Sequence, residues 1–195
     1  SPALAATVIR QIADALAAAH AAGIIHRDLK PENIIYDPRT QCARLLDFGH
    51  ARDADISPEE RPTRTGFCVG TLQYVAPEAL TGALVDEAAD TYSLATIAFL
   101  LLCAQLPYAA PSPRELFHQI LTRPPLRLSD ARPDLDFPHG LEDVVARGLH
   151  REPGQRQPSV AAFAGECAAA ASAPVAAGKR PGLRGSLRGV FGPGH

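Results

Sequence analysis

The stretch His26-Arg27-Asp28-Leu29-Lys30-Pro31-Glu32-Asn33 places an aspartate, a lysine and an asparagine in one short loop. The carboxylate of Asp28 can orient an attacking hydroxyl or accept its proton, and the ammonium of Lys30 can neutralise a moving phosphoryl group. The amide oxygen of Asn33 is a ligand type that hard metal ions accept. Taken alone, Asp28 and Asn33 are more often ordinary turn residues, so the assignment depends on the rest of the chain.

Two further motifs follow downstream. Asp47-Phe48-Gly49 begins fourteen residues after Asn33, and the stretch 70–78 ends in Ala76-Pro77-Glu78. In this order the three motifs resemble those of the eukaryotic-type, or Hanks-type, protein kinases. The resemblance runs from about Leu4 to about Ala169, and the D-L-K-P-E-N context of Lys30 is similar to the serine/threonine branch.

The resemblance implies an α+β protein-kinase-like fold, here a mainly α-helical C-terminal lobe with a few short strands around the catalytic loop. We expect residues 1–170 to form this lobe. Residues 171–195 contain six glycines, three prolines, four basic residues and no acids, which predicts a disordered basic Gly/Pro/Ala-rich tail. Arginine outnumbers lysine 17 to 2 and alanine is abundant, a bias that suits a bacterial source.

Kinases of this family also carry a glycine-rich loop, a strand lysine and a helix glutamate upstream of the catalytic loop. Only 25 residues precede His26, and no methionine occurs in the chain. We therefore expect the N-terminal lobe to be absent from this chain, which we interpret as an inactive fragment of a longer gene product.

The family's catalytic roles are implied for four residues. Asp28 would orient and deprotonate the substrate hydroxyl, and Lys30 would contact the γ-phosphate of ATP. Asn33 and Asp47 would hold Mg²⁺ against the nucleotide phosphates, so ATP and Mg²⁺ are the implied cofactors. Thr71 would hydrogen-bond near Asp28 and favour aliphatic hydroxyl substrates.

The polar stretch 52–67 has no apolar periodicity and corresponds to the family's activation loop. Thr63 and Thr65 are its candidate phosphorylation sites, although ordinary solvated threonines would give the same pattern. Arg27, directly before Asp28, could pair with such a phosphate and order the loop.

Three residues are implied to have architectural roles. Arg156 matches the late arginine that pairs with the A-P-E glutamate, here Glu78. Asp90 matches the aspartate that accepts hydrogen bonds from the catalytic-loop backbone. An acid in the first turn of a helix also suits the helix dipole, and both explanations of Asp90 can hold together.

Composition restricts the partners. A formal net charge of −2 gives no indication of nucleic-acid binding, so protein substrates and ATP are the expected partners. The four cysteines are far apart and show no C-x-x-C pair, which predicts reduced thiols rather than a zinc site or a disulfide framework. The longest apolar run, 94–106, is too short to span a bilayer and predicts a buried helix. We expect a cytoplasmic protein, or the cytoplasmic part of a membrane-anchored kinase.

Local patterns predict the elements around the loop. A first amphipathic helix should carry its apolar residues on one face and end at Gly23. Short strands are expected at Ile24-Ile25, at 34–36 and at 43–46, with a turn at 37–40. This arrangement should bring together Asp28, Asn33 and Asp47. Further helices are predicted at 86–105, 113–122, 141–149 and 159–169. The apolar residues of the first helix are Leu4, Val8, Ile9, Ile12, Leu16 and Ala19, and those expected to be buried in 86–105 are Leu94, Ile97, Ala98, Leu101 and Leu102.

Three functions are compatible with these features. The first is a serine/threonine protein kinase that transfers the γ-phosphate of ATP to protein hydroxyls. The second is a kinase-like binding or scaffolding module that does not catalyse. The third is a small-molecule phosphotransferase of the aminoglycoside-kinase kind, against which the D-F-G motif, the A-P-E motif and Arg156 argue.

Overall fold

The computed structural model describes residues 1–47 and 72–174, and these residues are predominantly helical. Short 3-10 turns cover Pro31–Asn33 and Pro153–Gln155. The α+β architecture with a largely helical lobe is therefore confirmed. The complete elements are α1 (Pro2–Ala21), β1 (Ile34–Asp37), β2 (Cys42–Leu45), α2 (Pro77–Leu80), α3 (Glu87–Cys103), α4 (Pro113–Thr122), α5 (Leu128–Ala131), α6 (Leu141–Gly148) and α7 (Val160–Ala171).

Helix α1 begins and ends with residues suited to those positions. The hydroxyl of Ser1 accepts a hydrogen bond from the Leu4 amide, and Pro2 lies in the first turn, where its missing N–H costs nothing. Gly23, with φ +73°, takes the left-handed conformation after the helix, as predicted. Leu4 departs from the predicted apolar face because it remains 41% exposed. The buried residues of that face include Val8, Ile9, Ile12 and Leu16.

Strands β1 and β2 form an antiparallel hairpin in which Ile34 pairs with Leu45 and Asp37 with Cys42. The turn between them is the predicted one, since the Asp37 carboxylate accepts hydrogen bonds from the Arg39 amide and the Thr40 hydroxyl. The hairpin leaves residue 33 and residue 46 side by side at its open end. Asn33 and Asp47 therefore lie next to opposite strands of one ladder.

The prediction of a strand at Ile24-Ile25 is wrong. Both residues have β-branched side chains, but in the described part of the chain they lie in a segment without regular structure. A strand exists only where its backbone groups pair with a neighbouring strand. Among residues 1–47 and 72–174, the ladder contains β1 and β2 alone.

Helix α3 is the central helix of the lobe. It begins at a cap where the Asp86 carboxylate accepts from the Ala88 amide, and it packs against α1, α5, α6 and α7. Because other helices surround it, even its polar residues Thr91, Ser93 and Thr96 are buried. The apolar run 94–106 is thus a buried core helix along most of its length, as predicted.

Leu101 was expected to be buried in this helix but is 45% exposed. It lies on the same face as Leu94, which is fully buried, so the helical spacing was correct. Leu101 is exposed because it lines an open apolar cavity of about 260 Å³ between the end of α3 and the first turns of α1. Leu4 and Tyr36 line the same cavity.

The first and last helices of the described residues, α1 and α7, pack against each other in the core. Helix α7 packs along α1 and also contacts α3 and α6, and Phe163 of α7 is fully buried. A Cβ placed on Gly148, the last residue of α6, would lie 2.7 Å from the Ala95 side chain and 2.8 Å from the Phe163 ring. Glycine at this position therefore allows three helices to approach closely.

Across residues 1–47 and 72–174, none of the helices is both long enough and apolar enough to span a membrane.

Candidate active site

The loop 26–33 lies between α1 and β1, and Asp90 of α3 holds its first half. The Asp90 carboxylate is fully buried and accepts hydrogen bonds from the His26 amide at 2.9 Å and the Arg27 amide at 3.0 Å. Arg27 has a φ of +63°, a conformation that is costly for a residue with a Cβ. The two hydrogen bonds to Asp90 stabilise this backbone shape.

His20, in the last turn of α1, is the third partner of Asp90. Its Nε2 lies 2.7 Å from the Asp90 Oδ2, and its Nδ1 lies 3.6 Å from the Glu87 carboxylate. Burial opposes a charge on this imidazole, but the hydrogen bond to Asp90 and the negative charges of Asp90 and Glu87 prevail and raise the pKa of His20. The two carboxylates therefore favour the protonated form of the imidazole that lies behind the loop.

His26 connects the loop to the end of β2. Its ring is fully buried, and its Nε2 donates to the Leu46 carbonyl at 3.2 Å. The Asp28 amide lies 3.4 Å from Nδ1, so both ring nitrogens lie within hydrogen-bond distance of backbone groups. His26 thus links the loop to the strand that leads to Asp47.

Asp28, Lys30 and Asn33 converge in the second half of the loop. The Lys30 ammonium donates to the Asp28 carboxylate at 2.7 Å, and each side chain is 20% exposed. The Asn33 Nδ2 donates to the Asp28 carbonyl at 2.7 Å and lies 3.4 Å from its carboxylate. A carboxylate, an ammonium and an amide therefore open together onto a partly solvated surface, where a substrate can reach them.

The hairpin places the backbone of Asp47 beside Asn33. The Leu46 amide donates to the Asn33 carbonyl at 2.8 Å, which brings the Asp47 backbone beside Asn33. Asp47 has a φ of +55°, so the chain turns sharply as it leaves β2. The predicted convergence of Asp28, Asn33 and Asp47 is present at the level of the backbone.

The donor set of Asn33 and Asp47 suits a hard cation such as Mg²⁺. The Asn33 side chain contacts Asp28 through Nδ2, and its amide oxygen is a ligand type that hard cations accept, as is the carboxylate of Asp47. No group of three or more His, Cys, Asp or Glu residues within the described ranges could hold a metal ion. A site made of one carboxylate and one amide would therefore depend on further oxygen ligands from nucleotide phosphates and water.

Arg27 has a buried guanidinium nitrogen, Nε, that is able to donate a hydrogen bond. Within residues 1–47 and 72–174 its Nε has no hydrogen-bond partner, and it is shielded from solvent, an unusual state for a group that carries a positive charge. An anion delivered to this point would satisfy it. Thr63 and Thr65, the predicted phosphorylation sites, and Thr71, the predicted selectivity residue, lie outside the described residues.

Glu78 and Arg156 are brought together, as the resemblance implies. The guanidinium donates from Nη1 and Nη2 to the two carboxylate oxygens, each at 2.7 Å. Its three other N–H groups donate to the carbonyls of His150, Ala88 and Arg151. The group lies 5.1 Å from the centre of the Tyr92 ring, which adds a cation–π contact. All five N–H donors are thus used, and the pair fixes α2 to the connector before α7.

Two residues of the site were missed by the sequence analysis. His20 ends a helical apolar stripe, and only its position at the C-terminus of α1 offered a signal. Gln11 lies on the same helix, and its side-chain amide hydrogen-bonds to the backbone of Gln41 and Ala43. Their partners are 70 and about 30 residues away in sequence, so no local pattern connects them.

The chain is similar to known protein kinases. The sequence profile of the protein kinase domain matches residues 1–164. The serine/threonine-protein kinase pkn2 of Myxococcus xanthus is 39% identical over 174 residues, which is 88% of this chain and 21% of that protein. The serine/threonine-protein kinase PknD of Mycobacterium tuberculosis is 42% identical over 156 residues, 80% of this chain and 23% of that protein.

A solved structure shows the same relationship. The crystal structure of the Mycobacterium tuberculosis PknI kinase domain matches with a TM-score of 0.60 and 29% identity, and the match covers 86% of this chain and 54% of that one. The chain spans between a fifth and a third of the length of the curated relatives described by these comparisons.

Proposed function

This chain belongs to the protein kinase domain family, and we propose that it supplies the catalytic-loop lobe of a serine/threonine protein kinase. The reaction would transfer the γ-phosphoryl group of ATP to serine or threonine hydroxyls of protein substrates. The observation that carries this proposal is the hydrogen-bonded cluster of Asp28, Lys30 and Asn33, joined to Asp47 through the Leu46 amide. Its groups are those that phosphoryl transfer requires, because positioning and charge neutralisation provide most of the catalysis.

Asp28 would orient the substrate hydroxyl and accept its proton as the oxygen attacks phosphorus. Its carboxylate is 20% exposed, so a hydroxyl can approach it from solvent, while the Asn33 amide holds the backbone carbonyl of the same residue. Lys30 already contacts the Asp28 carboxylate at 2.7 Å. From there its ammonium can neutralise charge on the phosphoryl group that moves toward Asp28.

Asn33 and Asp47 would hold Mg²⁺ through their side-chain oxygens. When bound, the ion neutralises negative charge on the nucleotide phosphates. The role of this chain is to fix the two ligands with respect to Asp28, which the Leu46 to Asn33 hydrogen bond and the His26 to Leu46 hydrogen bond support.

Arg27, Thr63 and Thr65 would provide regulation. A phosphate on either threonine carries close to two negative charges and can pair with an arginine. The buried Arg27 Nε, which has no partner among the residues that the structure describes, supports this idea. Thr71, in the segment before α2, would favour aliphatic hydroxyl substrates.

Residues 1–170 would belong to the catalytic domain, and residues 171–195 would form a basic tail outside it. A cytoplasmic location would supply ATP and protein substrates, and the chain could there be part of a membrane-anchored protein.

The test is phosphate transfer to a protein substrate by the natural full-length protein that contains this chain. Asp28→Asn should reduce transfer by at least about a hundredfold, since a positioned general base contributes 10²–10⁴. Asp14→Asn is the matched control, because Asp14 lies on α1 with a side chain 64% exposed. Equal activity of Asp28→Asn and wild type would overturn the assignment, and a wild type without activity would favour a non-catalytic binding module.

A further inference from the structure

One side chain of α1 is bonded to the hairpin that carries Asn33 and Asp47. The Gln11 Oε1 accepts from the Ala43 amide at 2.6 Å, and its Nε2 donates to the Gln41 carbonyl at 3.0 Å. A single amide thus binds the donor of a β2 residue and the acceptor of the turn residue directly before β2. This is the pattern with which a neighbouring β-strand would pair.

The bonded backbone groups need such a partner. Ala43 is buried, with 8% exposure, so an unpaired amide there would cost free energy. Gln41 has a φ of +53°, a conformation that an L-residue adopts only when its surroundings hold it. A sheet of two strands with four residues each is also marginal without support on its faces or edges.

The position of Asp47 depends on the register of this hairpin. Asp47 lies four residues beyond Ala43, a distance of about 13 Å along an extended chain. A slip of one residue in β2 would move Asp47 by about 3.3 Å relative to Asn33 and turn each β2 side chain to the opposite face. Because Gln11 binds Gln41 and Ala43 together, it opposes that slip from the closed end of the hairpin.

We propose that Gln11 is a positioning residue that sets the hairpin register and thereby the placement of Asp47 beside Asn33. The inference rests on the proposed function, since it assigns to Gln11 a role in the site formed by those two ligands. Gln11 itself contacts neither nucleotide nor substrate. It acts through the backbone of β2, and the Leu46 to Asn33 hydrogen bond transmits the register to the open end.

The test compares Gln11→Met with Gln105→Met in the natural full-length protein. Methionine keeps the approximate volume of glutamine and removes its hydrogen bonds. Gln105 is a matched control because its Nε2 also donates to a backbone carbonyl, that of Ala131, at 3.0 Å but away from the hairpin. Gln11→Glu is a second variant, which keeps an acceptor for the Ala43 amide and loses the donor to Gln41.

Two measurements separate positioning from simple stabilisation. In the protein without nucleotide, Gln11→Met should speed hydrogen exchange of the Leu46 amide by about tenfold, and Gln105→Met should not. In nucleotide binding, Gln11→Met should raise the Mg²⁺ concentration for half-maximal binding by about three- to tenfold, with an unchanged KM for the protein substrate. For Gln11→Glu, both the exchange rate of the Leu46 amide and the Mg²⁺ concentration for half-maximal binding should lie between those of wild type and Gln11→Met.

The inference is overturned if the Leu46 amide exchanges at the wild-type rate in Gln11→Met. It is also overturned if Gln11→Met and Gln105→Met lower the Tm equally and neither changes the Mg²⁺ dependence, since Gln11 would then only stabilise the fold. A wild-type protein that binds no nucleotide at any Mg²⁺ concentration is a different result. It would remove the proposed function, and the role of Gln11 in it, before any variant is compared.

Discussion

Arg156 and Glu78 are separated by 78 residues of sequence and meet through two parallel hydrogen bonds of 2.7 Å. The side chain of Arg156 is fully buried, and that of Glu78 is 7% exposed. Because two charges removed from water depend on each other, the pair makes the lobe sensitive to the loss of either residue.

Arg156→Met should lower the free energy of unfolding by about 3–5 kcal/mol, because the Glu78 carboxylate would remain buried without its partner. Adding Glu78→Gln to Arg156→Met should restore part of this loss, since the uncompensated charge is then absent. Urea unfolding monitored by circular dichroism measures both effects. Arg132→Met is the control, since its partner Asp134 has an exposed side chain, and it should unfold within error of wild type.

Stability should depend on pH through His20. Its pKa is raised from the ordinary value of 6.5 because the bond to Asp90 and the charges of Asp90 and Glu87 outweigh burial. The charged imidazole therefore stabilises the fold fully below pH 6.5, and this contribution is lost as the pH rises through the folded-state pKa. His20→Gln should lack this dependence while it keeps a donor for Asp90.

The measurement is the free energy of unfolding of wild type and His20→Gln at several pH values from acid to alkaline. The difference between them should be largest at the acid end and should shrink as the pH rises. A constant difference would show that folding does not raise the pKa of His20. His139→Gln, in the connector before α6, serves as the control for general effects of losing a histidine.

Gly148→Ala should destabilise the protein by about 1–3 kcal/mol, because the added methyl group would overlap packed atoms. The overlap is with Ala95 and with the Phe163 ring, at 2.7 and 2.8 Å from the new Cβ. Gly165→Ala is the opposite case, since no atom lies within 4 Å of its new Cβ. Because glycine inside a helix is unfavourable, Gly165→Ala should stabilise by about 0.5–1 kcal/mol. Thermal unfolding that ranks the two variants in the reverse order would contradict this packing.

Asp47→Ala should raise the Mg²⁺ concentration needed for half-maximal nucleotide binding by at least about tenfold, since a hard cation would lose a charged ligand. Titration of the full-length protein with Mg²⁺ at fixed nucleotide concentration provides the measurement. Asp136→Ala, at an exposed position between α5 and α6, should titrate like wild type. Identical curves for all three proteins would exclude Asp47 as a metal ligand.

Phosphate should be found on Thr63 or Thr65 in the active full-length protein, as read by mass spectrometry of its peptides. Arg27→Gln should then uncouple activity from phosphorylation, because the amide replaces the cation that would pair with the phosphate. Treatment with a phosphatase should lower the activity of wild type and leave that of Arg27→Gln unchanged. Active protein without phosphate on either threonine would remove this form of regulation.

The features that sequence predicted correctly depend on local order. Helices α1 and α3 follow from apolar residues at helical spacing, and the end of α1 follows from Gly23. The loop 26–33 was predictable because its three reactive residues lie within one short segment. In these cases the residues that determine the local structure lie close to one another in the sequence.

The features that sequence missed depend on distant partners. Ile24 and Ile25 have strand-forming side chains, but a strand requires a ladder that neighbouring residues cannot provide. Leu101 has the spacing of a buried residue, yet it lines an open cavity together with residues of α1 and β1. His20 was not predicted as part of the site because the carboxylate that it contacts is 70 residues away.

The packing of α7 against α1 has a consequence for synthesis of the protein. About 140 residues separate the end of α1 from the beginning of α7, which a ribosome adds in roughly 7 to 30 s. Throughout that interval the apolar face of α1 has no helix α7 to cover it. Arg156, the partner of Glu78, is also made only at the end of this period. The loop 26–33 is therefore translated well before the helix that completes its support, so the nascent lobe passes through a stage that is exposed to aggregation and chaperone binding.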